Sequence, residues 1–536
     1  MSVNCFDQRL FLACCLCEAN RCLCRDNRFC LEVGWKHLIA RIGGLGFCDD
    51  SPRMNKLPFV FSVYVLLAVV GLAADSRPNI LLILSDDHSM PHLGVYGDAN
   101  CKRFNITPNL DAMASEGMLF NRTYTAAPQC APSRISIFAG RSPVGLSTTR
   151  FAQPARADTV LFTDVLSEGG YWVGLDGRHQ HLDGRGKDLD HVTEALVELG
   201  MRDEAFEKRF DHFVRGASTK GGELPKVGEL VGSILDEVPD GKPFFLYFGF
   251  NQPHRRWGDD YEKIDPSQLV LPPDWPDLPE VRLDYAKYLA EVRDLDTGIG
   301  LIDSVFEKRG LKDSTLVIFM GDNGEALLRG KGTLMTRGTH VPMMVRWPGK
   351  VKAGSISDAL VSGVDLAATV LEVAGLETAP VMTGVSFLDE LRGERFEGRD
   401  HLFSERGWHF GPITQTDGFD LSRSITTRRY HYIYNAIPER RYSPVDMGKK
   451  SVWLAMQALN KQGELSPLHE RLYFHLPRPI FELYDLKSDP FQLENLAGGK
   501  PTKAIETKLR VEMDKWMIRE SDFLPLPSHV QQLENR

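Results

Sequence analysis

Cysteine is almost absent from most of this sequence. The chain of 536 residues holds ten, yet after residue 48 only Cys101 and Cys130 occur. That scarcity excludes a disulfide-stapled scaffold, which spreads its bridges over the fold they stabilise. Basic charge is not in excess either: 63 Lys and Arg against 72 Asp and Glu give a net charge of -9. No nucleic acid is therefore expected as the main partner, because phosphate binding needs a concentrated basic face. A local basic pocket for a small anion stays compatible with that balance. The sequence has no internal repeat, no low-complexity tract, and no composition typical of collagen, coiled coil or disorder. What it has, 43% hydrophobic and 25% charged residues, is the mixture of a globular chain long enough for two or three domains with real cores.

The other eight cysteines (Cys5, Cys14, Cys15, Cys17, Cys22, Cys24, Cys30 and Cys48) crowd the first 48 residues. A zinc cluster within 14–30 is disfavoured because the spacings match no paired C-x-x-C pattern. The next segment is more telling. Met54-Asn55-Lys56 is followed by LPFVFSVYVLLAVVGLAA and then Asp75. A short basic start, an apolar stretch and the small residues Gly71, Ala73 and Ala74 give the order of a secretory signal peptide over 54–74. A retained membrane anchor is the competing reading of so long a stretch, but Pro58, Ser62 and Gly71 shorten its apolar core. No stable membrane span is expected once the signal is removed, and the product is expected to be exported: periplasmic, secreted or lysosome-like. Residues 1–53 then lie upstream of an export signal, where no mature domain belongs, so Met54 is the expected start.

From Arg77 onward, short apolar runs alternate with amphipathic stretches. Residues 80–84, 171–175, 244–250 and 316–320 are apolar without polar alternation, as expected for strands buried on both faces. Helices are expected at 108–116, 163–168, 227–235 and 284–306. The alternation predicts an α/β fold, a large mostly parallel sheet sandwiched by helices, over residues 77–385. Pro-rich and polar stretches near 374–400 mark a boundary. Beyond it, strands at 429–435 and 481–486 and a closing helix at 503–519 predict a smaller C-terminal α+β domain over 400–525.

The residues just past each strand carry the chemistry. The runs lead into Ser85-Asp86-Asp87-His88, Asp176-Gly177-Arg178, Asn251-Gln252-Pro253-His254 and Gly321-Asp322-Asn323-Gly324. Ligands of open parallel sheets bind outside the carboxyl ends of the strands, so these tips are expected to converge. Asp86, Asp87, Asp322 and Asn323 form an all-oxygen set suited to a hard divalent cation such as calcium or magnesium. Taken singly, either pair reads equally as the start of a solvated turn. The most specific motif is Cys130-Ala131-Pro132-Ser133-Arg134. An unmodified thiol is a poor ligand for a hard cation, so Cys130 reads as a buried structural residue or as a nucleophile beside Arg134. Ser133 is expected to cap a helix over 133–139, with Cys130 just ahead of it.

Together these residues resemble the formylglycine-dependent (type I) sulfatases of the alkaline-phosphatase-like superfamily. The C-x-P-S-R motif, the Asp-Asp after the first strand, TPNLDAMASEG at 107–117, Asp-Asn-Gly, KGTL at 331–334 and RWPG at 346–349 occur in family order. ELYDLKSDPFQLENLA near the C-terminus matches too, and resembles the heparan N-sulfatase branch among others. The resemblance implies that Cys130 is oxidised to formylglycine by a formylglycine-generating or anaerobic sulfatase-maturating enzyme. One hydroxyl of the hydrated aldehyde would attack a sulfate ester or N-sulfate of a sulfated carbohydrate; the other would then collapse and release inorganic sulfate. It implies one calcium ion, less readily magnesium, held by Asp86, Asp87, Asp322, Asn323 and the modified Cys130. Arg134 would hold the hydrate, Lys331 would contact the sulfate, and His254 would bind sulfate or protonate the leaving oxygen.

Two departures stand out. Many relatives have Gly-Lys-Trp-His-Leu-Gly where this chain has Gly177-Arg178-His179-Gln180-His181-Leu182-Asp183-Gly184. Arg178 replaces Lys as the cation, and either His179 or His181 fills the histidine role, with His181 preferred because Leu182 follows it. Thr336-Arg337-Gly338 stands where relatives often carry an acidic residue. The Tyr- and Arg-rich segment 428–442 reads either as a lining for an anionic sugar or as an ordinary half-buried strand. A phosphodiester or phosphonate hydrolase on the same scaffold is disfavoured by Cys130 and the single oxygen-rich set, and an inactive exported glycan-binding homologue by retention of Cys130, Arg134 and Lys331. Peptide mapping of the natural protein is expected to recover nothing from residues 1–53; a peptide from that stretch refutes the Met54 start.

Overall fold

A computed structural model describes residues 77–151, 153–184, 190–216, 219, 221–409 and 418–534. The expected leader and signal peptide lie outside the described residues. No helix among the described residues is long and apolar enough to cross a membrane.

Fourteen strands occur among the described residues, here numbered β1 to β14 in chain order. The large sheet uses β1 (Asn79–Ser85), β2 (Met118–Phe120), β4 (Trp172–Asp176), β5 (His212–Val214), β6 (Phe244–Gly249), β7 (Thr315–Gly321), β8 (Met343–Arg346) and β9 (Ser355–Ser357) in the order β5-β4-β6-β1-β7-β8-β2-β9. The four runs expected as buried strands become β1, β4, β6 and β7. They are consecutive neighbours and run parallel, with Ile80 opposite both Phe245 and Leu316. β8 pairs antiparallel with β7 and with β2, so the sheet is mixed at that side. β3 (Thr123–Tyr124) and β10 (Val361–Ser362) form a separate short parallel pair.

The lack of polar alternation in β1 has a direct cause. Leu81 and Ile83 enter one apolar core, beneath the 30-residue helix Pro279–Lys308, whereas Ile80, Leu82 and Leu84 enter the other, with the helices Cys130–Ala139 and Asp365–Val373. A strand covered on both faces has no solvent side on which to place polar residues.

The C-terminal sheet is antiparallel, β11 (His401–Arg406), β12 (Ser422–Thr427), β13 (Tyr430–Asn435) and β14 (Phe481–Asp485) in that order. It packs against the helix Lys503–Arg519, which supplies Leu509, Met513, Trp516 and Met517 to a core shared with Tyr432 and Tyr434. Those two tyrosines thus belong to the core. Arg428 and Arg429 stand exposed at the hairpin tip.

Backbone hydrogen bonds join the strand ends to one another. The amide of Asp86 donates to the Gln252 carbonyl at 3.0 Å, that of Asp322 to Ser85 at 3.0 Å, and that of His88 to Asn323 at 2.7 Å. Gly324 lets this crossing close: a Cβ there would lie 1.8 Å from the Arg337 carbonyl oxygen and 2.6 Å from Gly338 Cα. Both are backbone atoms that cannot swing aside. Gly324→Ala is expected to cost about 1–3 kcal/mol by overpacking, read as a lower urea midpoint; an unchanged midpoint would show that the loop relaxes freely.

Candidate active site

The polar ends of β1, β4, β6 and β7 meet at one edge of the sheet. Asp86 and Asp87 follow β1, with Asp87 at φ 62°, and both are fully buried. Asp322 and Asn323 follow β7, and Asn323 Nδ2 donates to Asp87 Oδ1 at 2.9 Å. Cys130 opens the helix Cys130–Ala139 with its Sγ 3.3 Å from Asp86 Oδ1 and 3.7 Å from Asp87 Oδ1. Ligand atoms of Asp86, Asp87, Cys130 and His254 all lie within 4.8 Å of one another.

The expected cap at Ser133 is a correction. The helix begins at Cys130 with Gln129 as N-cap, because Pro132 in the first turn costs no intrahelical hydrogen bond and fixes a helical φ. Ser133 sits inside the helix, where its hydroxyl donates to the Asp322 carbonyl at 2.5 Å. It ties the helix that opens at Cys130 to the β7 loop.

Three cations are buried with the carboxylates. Arg134 donates from Nε to Asp322 Oδ2 at 2.8 Å and from Nη2 to Asp86 Oδ2 at 3.1 Å, and its other nitrogen meets the Tyr247 hydroxyl. Arg178, at φ 58° after Gly177, pairs with Asp86 and donates to Asn251 Oδ1 at 2.9 Å. Lys331 Nζ lies 2.9 Å from Asp87 Oδ1 and 2.9 Å from Asp446 Oδ2. Its loop is held over the motif by the Gly332 amide, which donates to the Pro128 carbonyl at 2.8 Å.

The histidines divide by geometry. His181 Nε2 lies 4.0 Å from Asp86 Oδ2, and His254 Nε2 lies 3.7 Å from Asp87 Oδ2. His179 Nδ1 instead accepts the Gly216 amide at 2.8 Å, and its ring packs edge-on against Phe213. The ring of His181 also faces Phe151, which stacks on His409.

Electrostatics follow from burial. Desolvation opposes ionisation of Asp86, yet Arg178, His254, Arg134 and His181 together hold its carboxyl well below the usual range. At Asp87 and Asp322 burial prevails over Lys331 and Arg134, and both carboxyls are raised. Burial, reinforced by Asp86, pushes the Cys130 thiol well up. An unmodified thiolate is therefore disfavoured here.

The donor set suits a hard cation. Asn323 Oδ1 is buried with no hydrogen-bond partner among the described residues, at a point where carboxylates crowd. Such an oxygen costs free energy unless something electropositive meets it. Asp322 is more engaged, since its Oδ1 accepts the amides of Asp87 at 3.0 Å and Asn323 at 2.7 Å.

Sequence reasoning missed Asp446 and Tyr247. Asp446 lies far along the chain, in no recognisable motif, and only folding brings it to Lys331. Tyr247 carries the one hydroxyl of the FFLYFG strand, a signal available but unread.

The chain matches the family model Sulfatase over residues 78–376 and the model N-sulphoglucosamine sulphohydrolase, C-terminal, over residues 324–453. It is 28% identical over 461 residues to an ulvan-active sulfatase of Formosa agariphila, covering 84% of this chain and 82% of that one. It is 26% identical over 499 residues to the human N-sulphoglucosamine sulphohydrolase, covering 85% and 93%. Among solved structures, one described as a complex with its substrate D-glucosamine-2-N,6-O-disulfate superposes with TM-score 0.60 at 18% identity, covering 84% of this chain and 99% of that one; at that identity the likeness establishes the fold. With more than half its length matched by the family model, the chain belongs to the sulfatase family of sulfuric ester hydrolases.

Proposed function

We propose that this sulfatase removes sulfate, as an ester or an N-sulfate, from a sulfated carbohydrate outside the cytoplasm, using a formylglycine made from Cys130 and a bound calcium ion. The observation that carries the proposal is the position of Cys130 Sγ, 3.3 Å from one buried carboxylate and 3.7 Å from the next, the latter also bonded by Asn323, whose Oδ1 has no hydrogen-bond partner among the described residues. A thiol is badly matched to that setting; an oxygen at the same place is not. The names of the relatives support the substrate class, since they act on ulvan and on N-sulphoglucosamine.

Asp86, Asp87, Asp322, Asn323 and the residue-130 oxygen would hold the cation, which when bound would offset sulfate charge and favour ionisation of the attacking hydroxyl. Arg134, pinned between Asp322 and Asp86, would hold the hydrated residue 130 from the helix side. Lys331 and Arg178 supply fixed positive charge for the sulfate oxygens, held ready by Asp87, Asp446 and Asp86 before substrate arrives. His254, the most open of the group with 23% of its side chain exposed, and His181 stand at the edge where a leaving oxygen needs a proton. Asp446 keeps the long Lys331 side chain in place; without it the ammonium has Asp87 as its one carboxylate among the described residues.

In the exported protein, the peptide containing residue 130 is expected to carry the mass of an aldehyde or its hydrate. Cys130→Ala and chelation of divalent cations are each expected to abolish sulfate release, with calcium restoring the chelated sample. An unmodified thiol with full turnover would falsify the proposal. Asp446→Asn is expected to lower kcat/KM about tenfold, the effect of loosening one charge-assisted contact, with the thermal midpoint little changed; full activity would remove Asp446 from the positioning role.

A further inference from the structure

A cavity of about 670 Å³, within the range that holds a drug-sized ligand, opens beside the β12–β13 hairpin. It is separate from the site above: none of Asp86, Asp87, Cys130, Asp322, Asn323 and Lys331 lines it. Its wall carries Arg122, Arg329, Arg337, Arg428, Arg429 and Lys487, with Asp274 as the single carboxylate among the described residues that line it. On a chain of net charge -9, such a concentration of cations is not a matter of composition.

Some of this charge is already used. Asp274 lies 3.6 Å from Arg329 and 3.1 Å from Arg337, and Asp485 holds Arg429 at 2.7 Å. Among the carboxylates of the described residues, Arg122 pairs only with the exposed Asp358, at 3.7 Å, an ion pair worth little in water. Arg428 and Lys487 are exposed, and among the described residues neither has a carboxylate within ion-pair distance. Closing the hairpin does not account for the cations, because connections this short favour Asn, Asp and Gly, and this one is Arg428-Arg429. Arg122 Nη1 donates to the Arg428 carbonyl at 2.7 Å, which fixes the hairpin tip to the segment that leads to Cys130. Phe491, 38% exposed, adds an apolar face to the same wall. Cations around an aromatic face, in a recess, match the alternating anionic groups and apolar ring faces of a sulfated sugar chain.

We infer that this groove binds a stretch of sulfated polysaccharide away from the bond being cleaved, so that a polymer is held at two places along its length. The inference takes its ligand class from the sulfatase reading, while its residues are independent of the reaction centre. The test compares the full chain with the double variant Arg428→Ala/Lys487→Ala. Retention on immobilised heparan sulfate is expected to fall to a lower salt concentration. KM for heparan sulfate chains is expected to rise about tenfold, as for the loss of two steering charges. Turnover of a small aryl sulfate should stay unchanged, and Arg428→Lys/Lys487→Arg should restore polymer binding. Equal retention of both proteins overturns the inference, as does parallel loss of polymer and small-ester turnover, or binding of polyglutamate as tight as that of heparan sulfate. Should the unaltered protein hydrolyse no sulfate ester, the catalytic reading fails, and the retention difference still decides the groove.

Discussion

Three carboxylates share one dry pocket because three cations were buried with them. Asp86, Asp87 and Asp322 have no exposure to water, and Arg134, Arg178 and Lys331 have almost none. Taking any one of these charges out of water alone would be prohibitive; the cluster is tolerable only as a set in which each ion faces an opposite one. Arg134 is the clearest case, since its fork spans Asp322 and Asp86 and so couples the ends of β7 and β1. Asp446 on Lys331 adds a fourth carboxylate against the three cations, and that excess, together with the Asn323 oxygen left without a hydrogen-bond partner among the described residues, suits the pocket to a hard cation.

The architecture serves that constraint. Four parallel strands lying side by side deliver their polar ends to one edge, and the backbone bonds between those ends hold the loops at the spacing the charges need. The helix that opens at Cys130 reaches the same edge from one face of the sheet, tied down by the Ser133 hydroxyl. The C-terminal part of the chain is also involved, because Asp446 is the second carboxylate on Lys331.

Much of this was legible before folding, for an identifiable reason. Strands covered on both faces are written as unbroken apolar runs, so their positions, and hence the residues just after them, could be read directly. Asp86, Asp87, Asp322, Asn323 and His254 all stand at such positions, and Cys130, Arg134 and Lys331 lie in short motifs. A serine near a helix start looks like a cap, which sets the expected start of the helix around Cys130 three residues late; here the hydroxyl serves a distant carbonyl instead. The tyrosines of β13 were ambiguous because an aromatic side chain suits both a core and a sugar face, and only packing against Trp516 and Met513 assigns Tyr432 and Tyr434 to the core.

By itself the sequence determined the parallel α/β class, the edge at which chemistry gathers and the residue types placed there, since all three follow from local hydrophobic pattern and short spacing. Tertiary structure alone decided the partners: that Lys331 stands between Asp87 and Asp446, that His181 and not His179 turns toward Asp86, and that Arg122 and Lys487 share a groove with the β12–β13 hairpin. Electrostatic pairing depends on distance in space, and separation along the chain carries almost no record of it.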